Sequence, residues 1–416
     1  MKNILPCSCL IVFILLSLNA FSQKNPNLAR TPPMGWNSWN WHGKKDINEQ
    51  VVRETIDAIV KKGLRDAGYI YVVIDGGWRD NKLGPAGDLL PNPLKFPNGI
   101  KPLADYAHAN GLKLGLHIVP GTNDCLGDPV GSYNHEDVHL SQLVAWGIDF
   151  VKLDLCRHLS DPCTDCKKNE LGWSENLIFD TYTKWSRMLH NCGRDILFSV
   201  STYKFREWNP EYCNMSRTTD DIRCRVYGSW ENKYYGASFD EKDNPGSVMA
   251  IAEINNQSAK YAGNGYWNDP DMMVTGEQGL SINEQKAHFA LWCIMSSPLI
   301  LGNDPRFMNQ AEREIILNKE AIGVNQDSTE QGFRISKSGD AEIWKKKLQN
   351  GNVAVLLLNR NPYDSIDIKL SFKDIYFTGK VKVRDFYLHK DLGYYKNSFT
   401  RKTDPHSGSF FIMSNK

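Results

Sequence analysis

Residues 149–156 read Asp-Phe-Val-Lys-Leu-Asp-Leu-Cys, an apolar run that ends at an acidic residue. The side chains of Phe150, Val151 and Leu153 suit the wall of a buried β-strand, and Asp154 follows at its carboxyl end. In a closed barrel of parallel strands, polar residues at the carboxyl ends of the strands face the mouth of the active site. Asp154 is therefore a candidate active-site residue, provided that the rest of the chain predicts such a barrel.

Similar strand-like runs recur along the chain, with helical patterns between most of them. No Gly-x-Gly-x-x-Gly motif follows the first run, which argues against a doubly wound dinucleotide-binding sheet. The alternation predicts a (β/α)8 TIM barrel over residues 23–327. Its strands are expected at residues 33–41, 69–76, 113–119, 149–156, 196–202, 212–219, 265–273 and 298–303. The helical patterns lie at residues 46–64, 104–109, 138–146, 176–190 and 284–295.

The pattern changes after Asp327, where short strand-like runs are separated by turn residues. This change predicts a small antiparallel β-sandwich over residues 328–416, without an obvious catalytic cluster. Its strands are expected at residues 342–348, 353–359, 366–372, 381–387 and 409–413. A chain of 416 residues agrees with one large and one smaller domain.

The first 22 residues have the features of a secretory signal peptide. Lys2 precedes an apolar run at residues 10–18, and Ala20 and Ser22 supply small residues at a cleavage site. A membrane anchor is the alternative, but the run is too short to span a bilayer comfortably, and no later segment is a candidate span. We therefore expect export to the periplasm or outside the cell.

The net charge bears on possible nucleic-acid binding, and the cysteines bear on possible zinc binding. The net charge of +1 argues against a nucleic-acid partner. Of ten cysteines, all but Cys7 and Cys9 lie after the predicted signal peptide. The pair Cys163-x-x-Cys166 has no second such pair to complete a zinc site, so export favours a disulfide there.

A second acidic residue, Asp221, lies two residues after the sixth predicted strand. Two carboxylates at strand ends suit the chemistry of glycoside hydrolysis. Lys152, two residues before Asp154, is a candidate to keep that carboxylate ionised, although a structural ion pair is the alternative. The neighbouring Asp220 is a second candidate acid, and either aspartate is also suited to cap a helix.

Two other motifs that contain acidic residues are also candidates for a functional site. Residues 266–272 bring Asp269, Asp271, an amide and a tryptophan to one strand end, although Asp-Pro is also ordinary turn chemistry. The stretch from His135 to His139 matches His-Glu-x-x-His, the helix signature of zinc proteases. Because it falls at the start of a predicted helix, where acids favour the helix dipole, we interpret this match as coincidental.

The combined motifs resemble glycoside hydrolase family 27, which contains the α-galactosidases (melibiases) and α-N-acetylgalactosaminidases. The resemblance extends from about residue 30 to the C-terminus. It rests on Thr-Pro-Pro-Met-Gly-Trp-Asn-Ser-Trp at residues 31–39, Lys152-x-Asp154-x-Cys156, Arg217 with Asp221 four residues on, and Trp-Asn-Asp-Pro-Asp-Met at residues 267–272. The family fold is the barrel and sandwich predicted above.

The resemblance implies a retaining mechanism in which Asp154 is the nucleophile and Asp221 is the acid/base, with no cofactor and no metal. It implies a carbohydrate substrate and a disulfide between Cys125 and Cys156. It also places several residues against the sugar: Trp39, Asp75, Lys152, Arg217 and Asp271, with His117 and Ser201 at positions where the family has other residues.

These departures bear on the choice of sugar more than on the reaction. Gly76 stands where the family has a second aspartate beside Asp75, and His117 replaces a tyrosine. Ser201 stands where the α-galactosidases carry a glutamate and the N-acetylgalactosaminidases a serine, while Lys204 does not match the small residue that normally accompanies this serine. Terminal α-galactosyl residues are the default substrate, with α-N-acetylgalactosaminide or β-L-arabinopyranoside as alternatives. A non-catalytic carbohydrate-binding protein is the alternative from another class.

Overall fold

A computed structural model describes residues 24–25, 27–125, 127–156, 167–169, 172–225 and 236–415. The predicted signal peptide at residues 1–22 and the pair Cys163 and Cys166 lie outside the described residues. In the described part of the chain, none of the helices has the length and apolar character needed to cross a bilayer.

Eight short parallel strands form one curled sheet, at the eight places that the alternating pattern predicts. Neighbouring strands pair in the order β7-β6-β5-β4-β3-β2-β1-β8. Beyond β7, Met273 bridges to Leu301 of β8, which joins the two ends of the sheet. The strands are β1 (Met34–Asn37), β2 (Tyr71–Ile74), β3 (Lys113–Ile118), β4 (Phe150–Asp154), β5 (Leu197–Ser201), β6 (Met215–Arg217), β7 (Trp267–Asp269) and β8 (Leu299–Leu301). The predicted TIM barrel is confirmed.

Helices connect the strands and cover the outside of the barrel. They are α1 (Trp39–Asp46), α2 (Glu49–Lys61), α3 (Lys101–Ala109), α4 (Glu136–Trp146), α5 (Glu175–Asn191), α6 (Asn209–Tyr212), α7 (Val248–Asn256), α8 (Ile282–Ile294), α9 (Gln310–Ile316) and α10 (Lys319–Asn325). The first predicted strand ran to residue 41, but β1 ends at Asn37 because α1 begins at Trp39. The first strand loop therefore turns into a helix at the mouth of the barrel.

Apolar side chains fill the barrel at the amino ends of its strands. Tyr71, Phe150, Leu197 and Met215 are each the first residue of their strand, and they pack together with Val73. This apolar cluster fills the barrel at the amino ends of the strands. Polar side chains lie at the carboxyl ends, as in other barrels of this type.

The C-terminal part is antiparallel and has its own apolar core. Its strands are β9 (Phe333–Ser338), β10 (Ala341–Lys347), β11 (Val353–Asn359), β12 (Ile366–Ser371), β13 (Lys380–Asp385), β14 (Lys390–Lys396), β15 (Ser398–Thr403) and β16 (Ser407–Asn415). Six of them form a sheet in the order β14-β13-β16-β11-β10-β9, and β12 pairs with β15. Val355, Leu357, Leu370 and Phe411 are among the residues buried between the sheets.

Candidate active site

Asp154 is the last residue of β4, and both of its carboxylate oxygens have a hydrogen-bond partner. The hydroxyl of Tyr203 donates to Oδ1 over 2.9 Å, and Nε2 of His117 lies 3.3 Å from Oδ2. His117 is the fifth residue of β3 and pairs with Lys152 across the sheet, which aims its ring at the same mouth. A carboxylate only accepts, so this contact requires the His117 proton on Nε2.

Lys152 and Asp75 form a buried ion pair beside Asp154. Nζ of Lys152 lies 2.7 Å from Oδ2 of Asp75, and this oxygen also accepts from Nδ2 of Asn37 over 2.8 Å. The other oxygen of Asp75 accepts from the backbone N–H of Gly76 over 2.8 Å. Because every one of these groups is held by a strand end or by the turn into α1, the pair has a fixed position in the site.

The charges of this group determine which side chains are ionised. Burial favours the neutral carboxyl of Asp154, but Lys152 and the contact with His117 outweigh it and hold the pKa of Asp154 well below its usual range. The pKa of Asp75 is lowered in the same way, against the effect of its burial. Burial lowers the pKa of Lys152, but Asp75 and Asp154 together raise it above its usual value. Asp154 is therefore a carboxylate at neutral pH, as a nucleophile must be.

Arg217, the last residue of β6, holds a second group of carboxylates two strands away from Asp154. Its Nη1 lies 3.1 Å from Oδ1 of Asp221, and its Nη2 lies 3.1 Å from Oδ2 of Asp271. The side chain of Asp221 is 55% exposed, whereas those of Arg217 and Asp271 are buried. Asp221 is thus the carboxyl of this group that solvent can reach.

Asp271 is held in place by the backbone. Its Oδ2 accepts from the N–H of Ile222 over 2.8 Å, and its Oδ1 accepts from the N–H of Met272. Its φ of +86° is in the left-handed region, which residues other than glycine seldom adopt. Burial raises the pKa of Asp271, Arg217 opposes this effect, and Asp221 and Asp269 add to it. Asp271 therefore holds both the guanidinium of Arg217 and the backbone of Ile222, the residue after Asp221.

Tyr203 joins the two groups, and the sequence analysis missed it. Its hydroxyl contacts Asp154, and its ring centroid lies 5.9 Å from the guanidinium carbon of Arg217. Burial raises the pKa of the Tyr203 hydroxyl well above its usual value, and the charges of Asp154 and Asp221 raise it further. The available signal was its place two residues after β5, at a strand end like the others.

The predicted sugar-facing residues Ser201 and Trp39 are both at the mouth, but in different settings. Ser201 ends β5 opposite Asp154 and is 1% exposed. Its hydroxyl is close enough to lower the pKa of Asp154, without a partner of full hydrogen-bond geometry among the described residues. The ring of Trp39 lies over Gly76, where a Cβ atom would be 3.3 Å from its Cζ3.

Cys125 and Cys156 form the disulfide that the resemblance implied, with Cα atoms 4.6 Å apart. Cys156 is two residues beyond Asp154, and its N–H donates to the Asp154 carbonyl over 3.0 Å. Trp173 donates its indole N–H to the Cys156 carbonyl over 3.0 Å. The loops after β3 and β4 are thereby tied together next to Asp154.

The His-Glu-x-x-His match is structural. His139 is buried, with Nδ1 at 2.9 Å from the Ser132 hydroxyl and Nε2 at 3.0 Å from the Gly87 carbonyl. Glu136 pairs with Lys184 over 2.9 Å. Both ring nitrogens of His139 are thus engaged by protein groups. In the part of the chain that the structure describes, no three His, Cys, Asp or Glu side chains are grouped as metal ligands.

Comparison with known proteins assigns the chain to a family. A family model described as alpha galactosidase A matches residues 31–327, and one for the alpha galactosidase C-terminal beta sandwich domain matches residues 338–413. An alpha-galactosidase of Oryza sativa subsp. japonica is 36% identical over 393 residues, which cover 93% of this chain and 85% of that protein. Alpha-galactosidase A of Cellvibrio japonicus (strain Ueda107) is 35% identical over 398 residues, covering 95% and 92%.

The crystal structure of alpha-galactosidase I from Mortierella vinacea has the same architecture. It superposes with a TM-score of 0.84 at 31% sequence identity, covering 94% of this chain and 99% of that chain. The match includes both the barrel and the C-terminal sheets, in agreement with the two family models. The chain therefore belongs to the alpha galactosidase A family, glycoside hydrolase family 27, and is a glycoside hydrolase.

Proposed function

We propose that the protein is a retaining exo-glycosidase that removes terminal α-galactosyl residues from oligo- or polysaccharides. The observation that carries this proposal is the contrast between its two carboxyl groups. Asp154 is buried and held ionised by Lys152, whereas Asp221 is exposed and paired with Arg217 on the far side of Tyr203. One group suits attack on carbon, and the other suits proton exchange with a leaving group and water.

In the proposed first step, an oxygen of Asp154 forms a bond to the anomeric carbon while the bond from that carbon to the leaving oxygen breaks. Asp221 gives its proton to the leaving oxygen. In the second step, Asp221 takes a proton from water, the water oxygen bonds to the anomeric carbon, and the ester bond to Asp154 breaks. The two inversions give a product of retained configuration. The two carboxyl groups perform all the proton and nucleophile chemistry, so the mechanism requires no cofactor.

The choice of sugar follows from the wall of the site after β5. Ser201 is buried at the end of β5, and Tyr203, two residues later, is in contact with Asp154. Lys204 extends to Glu175, with 3.2 Å between Nζ and Oε1. An acetamido group at the sugar's 2-position would have to displace this wall. We therefore favour a glycone with a free 2-hydroxyl over an α-N-acetylgalactosaminide.

A β-L-arabinopyranoside is the second candidate, and Gly76 favours it. This sugar has the ring and hydroxyl arrangement of an α-galactoside but lacks the hydroxymethyl group, so it offers fewer groups to bind. Gly76 stands where the family has a second aspartate, so one acceptor for the sugar is missing, and the ring of Trp39 covers the place that a Cβ would take. A site that binds fewer hydroxyls discriminates less against a sugar that lacks one.

We also propose that the protein is exported after cleavage near Ser22, and that its domains span residues 23–327 and 328–416. The Cys125–Cys156 disulfide supports export, because such bonds persist in oxidising compartments. N-terminal sequencing of the protein recovered from the periplasm and the medium tests the cleavage site. An N-terminus at Met1 on the recovered protein would refute it.

A panel of 4-nitrophenyl glycosides tests the proposed activity: α-D-galactopyranoside, α-N-acetylgalactosaminide and β-L-arabinopyranoside. We expect kcat/KM for the N-acetylated substrate to be at least about two decades below the best of the others, because a filled wall must be displaced. Proton NMR of the first-formed product should show retained configuration. Highest activity on the N-acetylated substrate would refute the proposed glycone, and an inverted product would refute the mechanism.

A further inference from the structure

The hydrogen bond between Tyr203 and Asp154 has a fixed direction. The carboxylate of Asp154 has no proton to donate, so the phenol donates to Oδ1 across 2.9 Å. The raised pKa of Tyr203 keeps that proton on the phenol over the working pH range of an enzyme. The bond is charge-assisted and therefore stronger than one between neutral groups.

The surrounding structure holds Tyr203 in this position. Its φ of +59° is left-handed, which is unusual for a residue with a bulky side chain and is often found at functional sites. The guanidinium of Arg217 lies beside its ring, and Arg217 is itself held by Asp271. The Tyr203 hydroxyl thus reaches the Asp154 carboxylate from a backbone conformation that is unfavourable for tyrosine.

We infer that Tyr203 is a catalytic residue of the second step, in which its hydroxyl stabilises the negative charge that returns to Asp154. This inference rests on the proposed retaining mechanism. It assigns to a residue after β5 a function that the family motifs in this sequence do not indicate.

The reason is the movement of charge during the two steps. In the first step, an electron pair of Asp154 enters the bond to the anomeric carbon, and the carboxylate loses its charge as it becomes an ester. In the second step, the oxygen of water bonds to that carbon, its proton passes to Asp221, and the ester electron pair returns to Asp154. The Tyr203 hydrogen bond therefore strengthens as the second step proceeds and weakens as the first proceeds. Only an interaction that is stronger in the transition state than before it accelerates a step.

The Tyr203→Phe variant tests this inference with 4-nitrophenyl α-D-galactopyranoside, or with the best substrate of the panel. We expect kcat to fall about 10- to 100-fold, the usual effect of removing a hydrogen bond to a charged group. KM should fall by a similar factor, leaving kcat/KM within about threefold of wild type, because the first step keeps its rate and the ester accumulates.

Two direct measurements accompany the steady-state constants. Stopped-flow traces of the variant should show a burst of close to one equivalent of nitrophenol. The acid-quenched variant should carry one added glycosyl unit by intact-protein mass spectrometry, on the peptide that contains Asp154. Tyr106→Phe is the matched control, because the Tyr106 hydroxyl also donates to an aspartate, Asp57, over 2.5 Å but on the surface away from the site. The control should keep wild-type constants.

The outcomes separate this inference from the proposed function. Equal losses of kcat and kcat/KM without a burst would mean that Tyr203 only supports the structure, and unchanged constants would mean that its hydroxyl is dispensable. Either result overturns the inference while the proposed function stands. A wild-type enzyme that turns over none of the aryl glycosides would overturn both.

Discussion

Replacing Lys152 with methionine should both destabilise the protein and make its stability depend on pH. The Lys152 ammonium is buried and lies 2.7 Å from Asp75, and it is the strongest cause that lowers the pKa of Asp154. Removing one partner of a buried ion pair costs about 3–5 kcal/mol, because the remaining charge stays buried without compensation. With an unfolding entropy of about 2.1 cal/mol/K per residue, this loss lowers the Tm of a chain of 416 residues by about 3–6 °C.

The sign of the pH dependence follows from the direction of each pKa shift. The raised pKa of Lys152 means that its contribution is complete below the unfolded value of about 10.4 and is lost only as pH rises through the folded value. The lowered pKa values of Asp75 and Asp154 mean that their contributions are complete above about 3.9 and are lost as pH falls through the folded values. In the wild type, this group therefore contributes constant stability between pH 5 and pH 8.

In Lys152→Met, burial of the two carboxyls is no longer offset, and their pKa values rise. The variant should then lose stability as pH increases from 5 to 8, because the folded protein holds protons that the unfolded chain has released. Differential scanning calorimetry at both pH values measures the deficit. Lys101→Met, which breaks the exposed pair with Asp105, is the control and should change stability by no more than about 1 kcal/mol at either pH. A deficit for Lys152→Met that matches the control, or that is the same at pH 5 and pH 8, would refute the reasoning.

Three further substitutions test the site directly. Asp154→Asn should abolish turnover of aryl glycosides, because the amide is a poor nucleophile; near-normal turnover would exclude Asp154 as the nucleophile. Asp221→Ala should slow substrates with poor leaving groups far more than activated ones, and external azide should give a glycosyl azide of retained configuration by gas chromatography; if Asp220→Ala behaves this way instead, the acid/base is Asp220. Gly76→Asp should raise kcat/KM for the α-galactoside about tenfold, because it adds a charged hydrogen-bond acceptor for the sugar; the ring of Trp39 has to move by a few tenths of an ångström to admit it. An unchanged kcat/KM would show that the missing carboxylate does not limit recognition of the sugar.

The barrel was predictable because its strands are short apolar runs with a fixed alternation. All eight appear where expected, although each is shorter than its pattern, since strand ends and the loops after them share apolar residues. In the C-terminal sheets, β9, β14 and β15 were not predicted. β9 (Phe333–Ser338) has no buried residue, and β14 (Lys390–Lys396) is rich in charged and exposed side chains. Pairing with a neighbouring strand, rather than burial of an alternating face, makes these segments strands.

The charged residues of the site could be predicted for the same topological reason. Asp75, Asp154 and Arg217 come at or just after the ends of parallel strands, and such ends meet at one mouth. The role of Tyr203 could not be read in this way, because its hydroxyl reaches Asp154 only through a left-handed backbone. The buried position of Ser201 also depends on neighbours distant in sequence, such as Asp154 on the paired strand, so the sequence alone does not predict it.

The balance of charge explains why the two halves of the site differ. Among the contacts described, Lys152 and Arg217 are the cations, and four carboxyls surround them: Asp75, Asp154, Asp221 and Asp271. Carboxyls in excess of cations leave the site negative or partly protonated, and Asp271, whose pKa is raised by burial and by its acidic neighbours, is suited to take up a proton. Glycoside hydrolysis passes through a transition state with positive charge on the sugar ring. A negative site stabilises that charge more than it stabilises the neutral substrate, so the same excess of carboxyls that makes Lys152 stabilising also favours the reaction.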